Sequence, residues 1–173
     1  MATLTYTSRE EIEVHKFSPL ATVGIPLLAI FFQAYVSKNI HFLQLFDVPL
    51  VVTIFFAVAR RNQIAGTLTG CVIGLVQDSL THLPIGMFGI SKSIIGYAAS
   101  SIGTRIDVDS PGPRFLMVFA FTLLHNLVYY LVRINMVRLS MEWHTGHQLL
   151  EATANALLAV FLFALMDRAK KRM

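Results

Sequence analysis

The sequence predicts an all-α integral membrane protein, a bundle of six transmembrane helices, and three observations predict it. Apolar residues make up 55% of the 173 residues and charged residues only 14%, against roughly 25% charged in an ordinary soluble domain. Six apolar stretches alternate with short polar breaks. Lysine and arginine gather on alternate breaks. A soluble fold of this length would lack polar surface; a lipid solvent removes the need for it. The length suits one domain, divided as a cytoplasmic N-terminal segment 1–17, a six-helix transmembrane domain 18–167 and a basic cytoplasmic tail 168–173.

In chain order, Ser8-Arg9-Glu10-Glu11 reads as a capping box, so a surface helix through Ile12 and Phe17 is expected. The first span is Pro19 to Tyr35, with Pro26 expected to kink it. The second, Val48 to Ala59, is twelve residues, roughly 18 Å at ~1.5 Å per residue, short of a hydrocarbon core of ~30 Å. Two readings stay open. The helix starts near Phe42 with Asp47 inside the membrane and Pro49 kinking it, or it is short and Asp47 caps its N-terminus. The third span is Ile64 to Leu80 and the fourth Pro84 to Ile102, a hairpin closed by Thr81-His82-Leu83. Turn formers fill Arg105 to Pro113. The fifth span is Phe115 to Val132. Trp143, in the next loop, suits the interface, and Leu149 to Met166 completes the six.

The basic residues set the orientation. With the N-terminus inside, the inner segments hold Arg9, Lys16, Arg60, Arg61, Arg105, Arg114, Arg168, Lys170, Lys171 and Arg172, and the outer ones only Lys38, Arg133 and Arg138. Positive residues favour the cytoplasm, so both termini are expected there. The net charge of +4 is spread among apolar segments or placed beside lipid in the tail, so no nucleic-acid partner is expected. Cys71 is a lone cysteine within an apolar stretch, a small core residue. No apolar stretch with a cleavage site opens the chain, so insertion is expected to use the first span.

Polar residues inside the spans carry the most information, because each is costly in lipid unless satisfied. In the third span Gly66, Gly70, Gly74 and Asp78 recur every four residues and share one face. In the fourth, Gly89, Lys92 and Gly96 do the same, after Pro84 and Gly86. Such small-residue faces either pack within the bundle or receive a partner helix. Asp78 and Lys92 differ in depth by roughly 7 Å and lean toward each other across the hairpin, which predicts an ion pair; the alternative is Lys92 snorkelling elsewhere. His125, Asn126 and Asn155 are expected to make helix-to-helix hydrogen bonds.

No catalytic constellation emerges. Asp47 and Asp78 are the one carboxylate pair suited to an intramembrane aspartyl protease, and neither carries the surrounding motif. A serine nucleophile with a paired histidine and a phosphate-binding loop are missing, and Asp107 and Asp109 stand in a loop without further carboxylates. His125 has no companions at metal-ligand spacing. No cofactor and no metal are expected.

The order Phe46-Asp47-Val48-Pro49, an apolar span, Arg60-Arg61, the glycine ladder to Gly74-Leu75-Val76-Gln77-Asp78, then Pro84-Ile85-Gly86 and Gly96-Tyr97 resembles the MreD family of rod shape-determining proteins. That family shows a Pro/Asp pair opening its second span, a Gly-x-x-x-Gly helix ending in Asp, a Pro-Leu-Gly-like turn and Gly-Tyr. Here the pair is Asp-x-Pro, and Ile85 replaces the leucine. The resemblance implies a non-enzymatic scaffold of the complex that builds side-wall peptidoglycan. It implies MreC as partner and, through it, RodA, a class B penicillin-binding protein and MreB. Asp47, Pro49, Gly66, Gly70, Gly74, Asp78, Pro84, Gly86, Gly89, Lys92, Gly96 and Tyr97 would then pack helices or meet a partner. The family's fold is similar to that of substrate-binding subunits of energy-coupling-factor vitamin transporters. Such a subunit is the alternative reading, although its Ala-x-x-x-Ala face is missing between Pro19 and Tyr35.

Overall fold

A computed structural model describes residues 19–39, 41–82, 84–103, 110–138 and 142–168, and every element among them is helical. The elements are α1 (Pro19–Asn39), a 3-10 turn (His41–Leu45), α2 (Val48–Arg60), α3 (Gln63–Thr81), α4 (Met87–Gly103), α5 (Pro111–Asn135) and α6 (Thr145–Arg168). The capping box at Ser8–Glu11 and its surface helix, the loop acids Asp107 and Asp109, and the tail beyond Arg168 lie outside the described residues.

Local chemistry explains the boundaries. Asp47 caps α2, its carboxylate accepting from the Leu50 N–H at 2.9 Å, and Pro49 sits in the first turn, where its missing N–H costs nothing. Asn62 caps α3 by accepting from the Ala65 N–H at 3.0 Å. His82 ends α3 in the left-handed conformation, φ 56°. The fourth helix starts at Met87 rather than at Pro84, because Gly86 adopts φ +106°, which no helix accommodates. The fifth begins at Pro111, earlier than Phe115, since prolines at a helix start need no hydrogen bond. The sixth begins at Thr145.

The packing is inverted relative to a soluble protein. Leu20, Ile64 and Phe161 are 85%, 74% and 68% exposed, while Lys92, Asp78 and Asn155 are fully buried. Apolar faces outward and polar groups inward suit a hydrocarbon surround. Four stretches are long and apolar enough to cross a membrane: Leu43–Arg60, Gln63–Thr81, Pro111–Asn135 and Thr145–Met166; α1 adds the shorter apolar run Thr22–Tyr35. The first of these includes the 3-10 turn, so Asp47 is both the cap of α2 and enclosed within an apolar stretch. Of the two readings of Asp47, the cap is the one the structure shows: α2 starts at Val48 rather than near Phe42, and Pro49 lies in its first turn instead of kinking it.

α2 is the axis of the bundle. It is buried from Pro49 to Val58 and touches all five other helices, which accounts for its lack of a polar face. α3 and α4 form the tightest pair, packed through glycine. α6 lays a stripe of Ala152, Asn155, Ala156, Ala159 and Phe163 toward the centre, at spacings of three and four. α1 rests on α2 and α3 and does not approach α6. Between α1 and α6 lies an apolar groove floored by Val48 and Val52 and walled by residues such as Phe32 and Leu162.

Candidate functional site

All six helices bring polar side chains to one end of the bundle, where the 3-10 turn, the α3–α4 turn and the start of α6 meet. The deepest contact is ionic: the Lys92 ammonium donates to Asp47 Oδ2 at 2.6 Å, with the lysine side chain fully buried. His125 Nε2 lies 3.5 Å from the same oxygen. Asn155 Oδ1 accepts from the Asp47 backbone N–H at 2.8 Å, and its amide donates to the Leu45 carbonyl at 3.3 Å. The cluster thus ties α2, α4, α5 and α6 together. Lys92 also sits 5.2 Å from the Phe88 ring centre, a cation–π contact.

The expected Asp78–Lys92 pair is corrected. Asp78 spends its carboxylate on the backbone of its own hairpin: Oδ2 accepts from Gly86 at 2.9 Å and Gly89 at 3.2 Å, and Oδ1 from Phe88 at 3.0 Å. These are the unpaired N–H groups of the α4 N-terminus, where the helix dipole also favours an anion. Lys92, one to two turns further along, is closer to Asp47 on the central helix. Asp78→Ala is expected to lower stability by about 2 kcal/mol, the upper range for a helix cap. Thermal unfolding in detergent checks this, and a cost below about 0.5 kcal/mol would show that the three bonds are dispensable.

The glycine faces are closed. A Cβ added at Gly66 would meet the Gly96 carbonyl, one at Gly70 the Lys92 carbonyl, and one at Gly74 the Phe88 carbonyl and Gly89 Cα. The α3 and α4 faces, expected either to pack within the bundle or to receive a partner helix, therefore meet each other. Tyr97, next to Gly96 in sequence, points outward and is 53% exposed, and Pro84 is exposed beside the turn.

Asp47 and Asp78 have separate partners, so they do not form the shared-proton pair that an aspartyl protease requires. Among the described residues no three of His, Cys, Asp and Glu gather as a metal site.

Above the ion pair the polar end opens into a cavity of about 520 Å³. Asn126 on α5 donates to Gln148 Oε1 at 2.7 Å and to Glu151 Oε2 at 3.0 Å on α6. Gln33 on α1 accepts from the Val48 N–H at 3.3 Å. Phe88 lies nearly parallel to both His125 and Tyr129. Sequence reasoning passed over Gln33, Gln77, Gln148 and Glu151. Their signal was a polar residue in each of α1, α3 and α6 at the end that carries Asp47, which only the topology aligns.

The family model described as rod shape-determining protein MreD matches residues 17–169. The chain belongs to the MreD family. No curated protein and no solved structure matches it. Membership makes it a membrane protein of the rod shape-determining system, in keeping with its apolar helices. The residues that carry the MreD resemblance fall on three devices of the structure. Asp47 holds the ion pair and the α2 cap; the glycines form the α3–α4 seam; Asp78 and Gly86 organise the hairpin turn.

Proposed function

We propose that this chain is a non-enzymatic scaffold of the bacterial cell-elongation complex. It crosses the cytoplasmic membrane six times with both termini in the cytoplasm. It binds MreC and, through it, supports side-wall peptidoglycan synthesis by RodA and a class B penicillin-binding protein, in register with MreB. The family match over nearly the whole chain carries this reading. The use of the buried charges supports it: Asp47, Lys92 and Asp78 hold helices to one another, as a rigid platform needs. The buried motif residues act in packing within the bundle, which leaves the outward apolar faces, Tyr97 among them, for the partner and the lipid.

Depletion of the protein in its rod-shaped host is expected to give rounded cells, and affinity capture in mild detergent is expected to bring MreC with it. Rods of normal width after depletion, or a capture devoid of MreC, would count against the scaffold.

A further inference from the structure

We propose that the mouth of the polar cavity is a binding site for a small organic anion of single charge, a carboxylate held by Arg133. This goes beyond the scaffold reading and does not rest on it.

Two helices wall the cavity with columns of side chains. On α5 these are His125, Tyr129 and Arg133; on α6 they are His147 and Glu151. Each column steps by one turn, so it follows a single helix face. The two helices run antiparallel: Asn126 reaches Gln148 and Glu151, while Tyr130, further along α5, packs on Trp143, just ahead of α6. The Arg133 side chain leans back toward the start of α5. That brings its guanidinium beside the Tyr129 hydroxyl and toward the level of His147.

The charges around the cavity leave Arg133 over. On the floor Asp47 is balanced by Lys92 at 2.6 Å, with His125 Nε2 3.5 Å from the same oxygen. On α6 Glu151 has His147 Nδ1 at 3.9 Å and accepts from Asn126. α1, α3 and the 3-10 turn contribute the neutral Gln33, Gln77 and Gln44. Among the described residues no carboxylate lies within ion-pairing distance of Arg133, and its buried Nε has no hydrogen-bond partner. A single proton shared by His147 and Glu151, on either one, leaves that pair without net negative charge, and the balance of the walls is then positive. A partly desolvated guanidinium without a counter-ion is unfavourable, and a carboxylate matches its fork with two parallel hydrogen bonds. A doubly charged phosphate would bring surplus negative charge next to Glu151 and Asp47, so a single charge suits the site better. Phe88 and Tyr129, their ring centres 4.9 Å apart, supply flat apolar surface for the body of the ligand. The volume of about 520 Å³ lies in the range of small-molecule sites, roughly 300–1,000 Å³.

The test is titration calorimetry of the full chain in zwitterionic nanodiscs, with empty nanodiscs as the blank and three probes of one shape: benzoate, benzamide and benzylamine. A pH of about 6 favours the proton on the His147–Glu151 pair and keeps benzoate ionised, since carboxylic acids titrate near ~4. Benzoate is expected to bind saturably with a dissociation constant of about 1 mM or tighter. The neutral amide and the cation are expected to bind at least about tenfold more weakly. Arg133→Gln is expected to weaken benzoate about tenfold, and Arg133→Lys, which restores the charge without the fork, to recover part of the loss. No saturation by benzoate up to about 10 mM, equal binding of the three probes, or benzoate binding indifferent to Arg133→Gln would overturn the proposal. Because the charge series uses the unaltered protein, its result stands even if a variant fails to fold. Cell shape and MreC capture test the scaffold without reference to this cavity, so either reading can fail alone.

Discussion

Asp47→Asn is expected to destabilise the bundle by about 3–5 kcal/mol, the cost of stranding a buried charge. Asparagine keeps the shape and an oxygen that can still cap Leu50, so the helix start survives. What is lost is the carboxylate beneath Lys92, whose side chain has no exposure to water. Lys92→Met alone should cost a similar amount, because it leaves Asp47 charged with only His125 Nε2, at 3.5 Å, and backbone donors around it. The double variant Asp47→Asn/Lys92→Met should recover most of the loss, since both charges leave together. Thermal or denaturant unfolding of the four proteins in detergent closes the cycle. If the double variant is as unstable as the sum of the singles, Asp47 and Lys92 act independently and the ion pair is not the lock described above. Apolar replacement of a buried pair is often neutral in stability, so a double variant that folds but no longer binds MreC would assign the pair to geometry.

Gly70→Val is expected to be the other severe change, at or above the upper end of the ~1–3 kcal/mol that overpacking a core costs. A side chain here meets backbone rather than a flexible side chain: the nearest atoms are the Lys92 carbonyl oxygen and carbon, and the Ser93 N–H nitrogen at 3.1 Å. Relief requires α4 to move away from α3. That movement carries Lys92 with it, so the seam and the ion pair should fail together. Gly24→Ala on α1 is the control: nothing lies within 4 Å of its added Cβ, and alanine is the better helix former. Unfolding temperature separates the two variants. A tolerant Gly70 would mean that α3 and α4 stand further apart than their carbonyl contacts imply.

Much of this fold was legible in the sequence because lipid imposes a simple rule. Apolar stretches and basic breaks mark the helices, and each expected span corresponds to a described helix, although the number that cross the membrane rests on the proposal above. The glycine ladder was legible because a period of four is a property of one helix. Its partner was not, since whether a small-residue face meets a sister helix or another protein depends on what the turn at Gly86 allows. Lys92 shows the limit most clearly. Sequence proximity favoured Asp78, nine residues past which α4 begins; the central position of α2, set by all five neighbours, brings Asp47 closer. Asp78 was drawn away by a need invisible in a pattern of residue types, the unpaired N–H groups at Gly86, Phe88 and Gly89. The cavity was the least legible part, because Gln33, Gln77, Asn126 and Glu151 lie on four helices and align only after folding.

The buried pair between α2 and α4 also bears on how the chain enters the bilayer. α4 runs from Met87 to Gly103 with Lys92 on its second turn, and a lone lysine in a spanning helix opposes insertion, most strongly at the helix centre. Synthesis runs from the N-terminus, so Asp47 is already in place when Lys92 leaves the ribosome. α4 then has a counter-ion waiting, and α3, with its glycine face, arrives beside it as the other half of the hairpin. On the six-span proposal, the chain order places the acid first, the smooth surface second and the base last, so that the counter-ion precedes the charge it pairs.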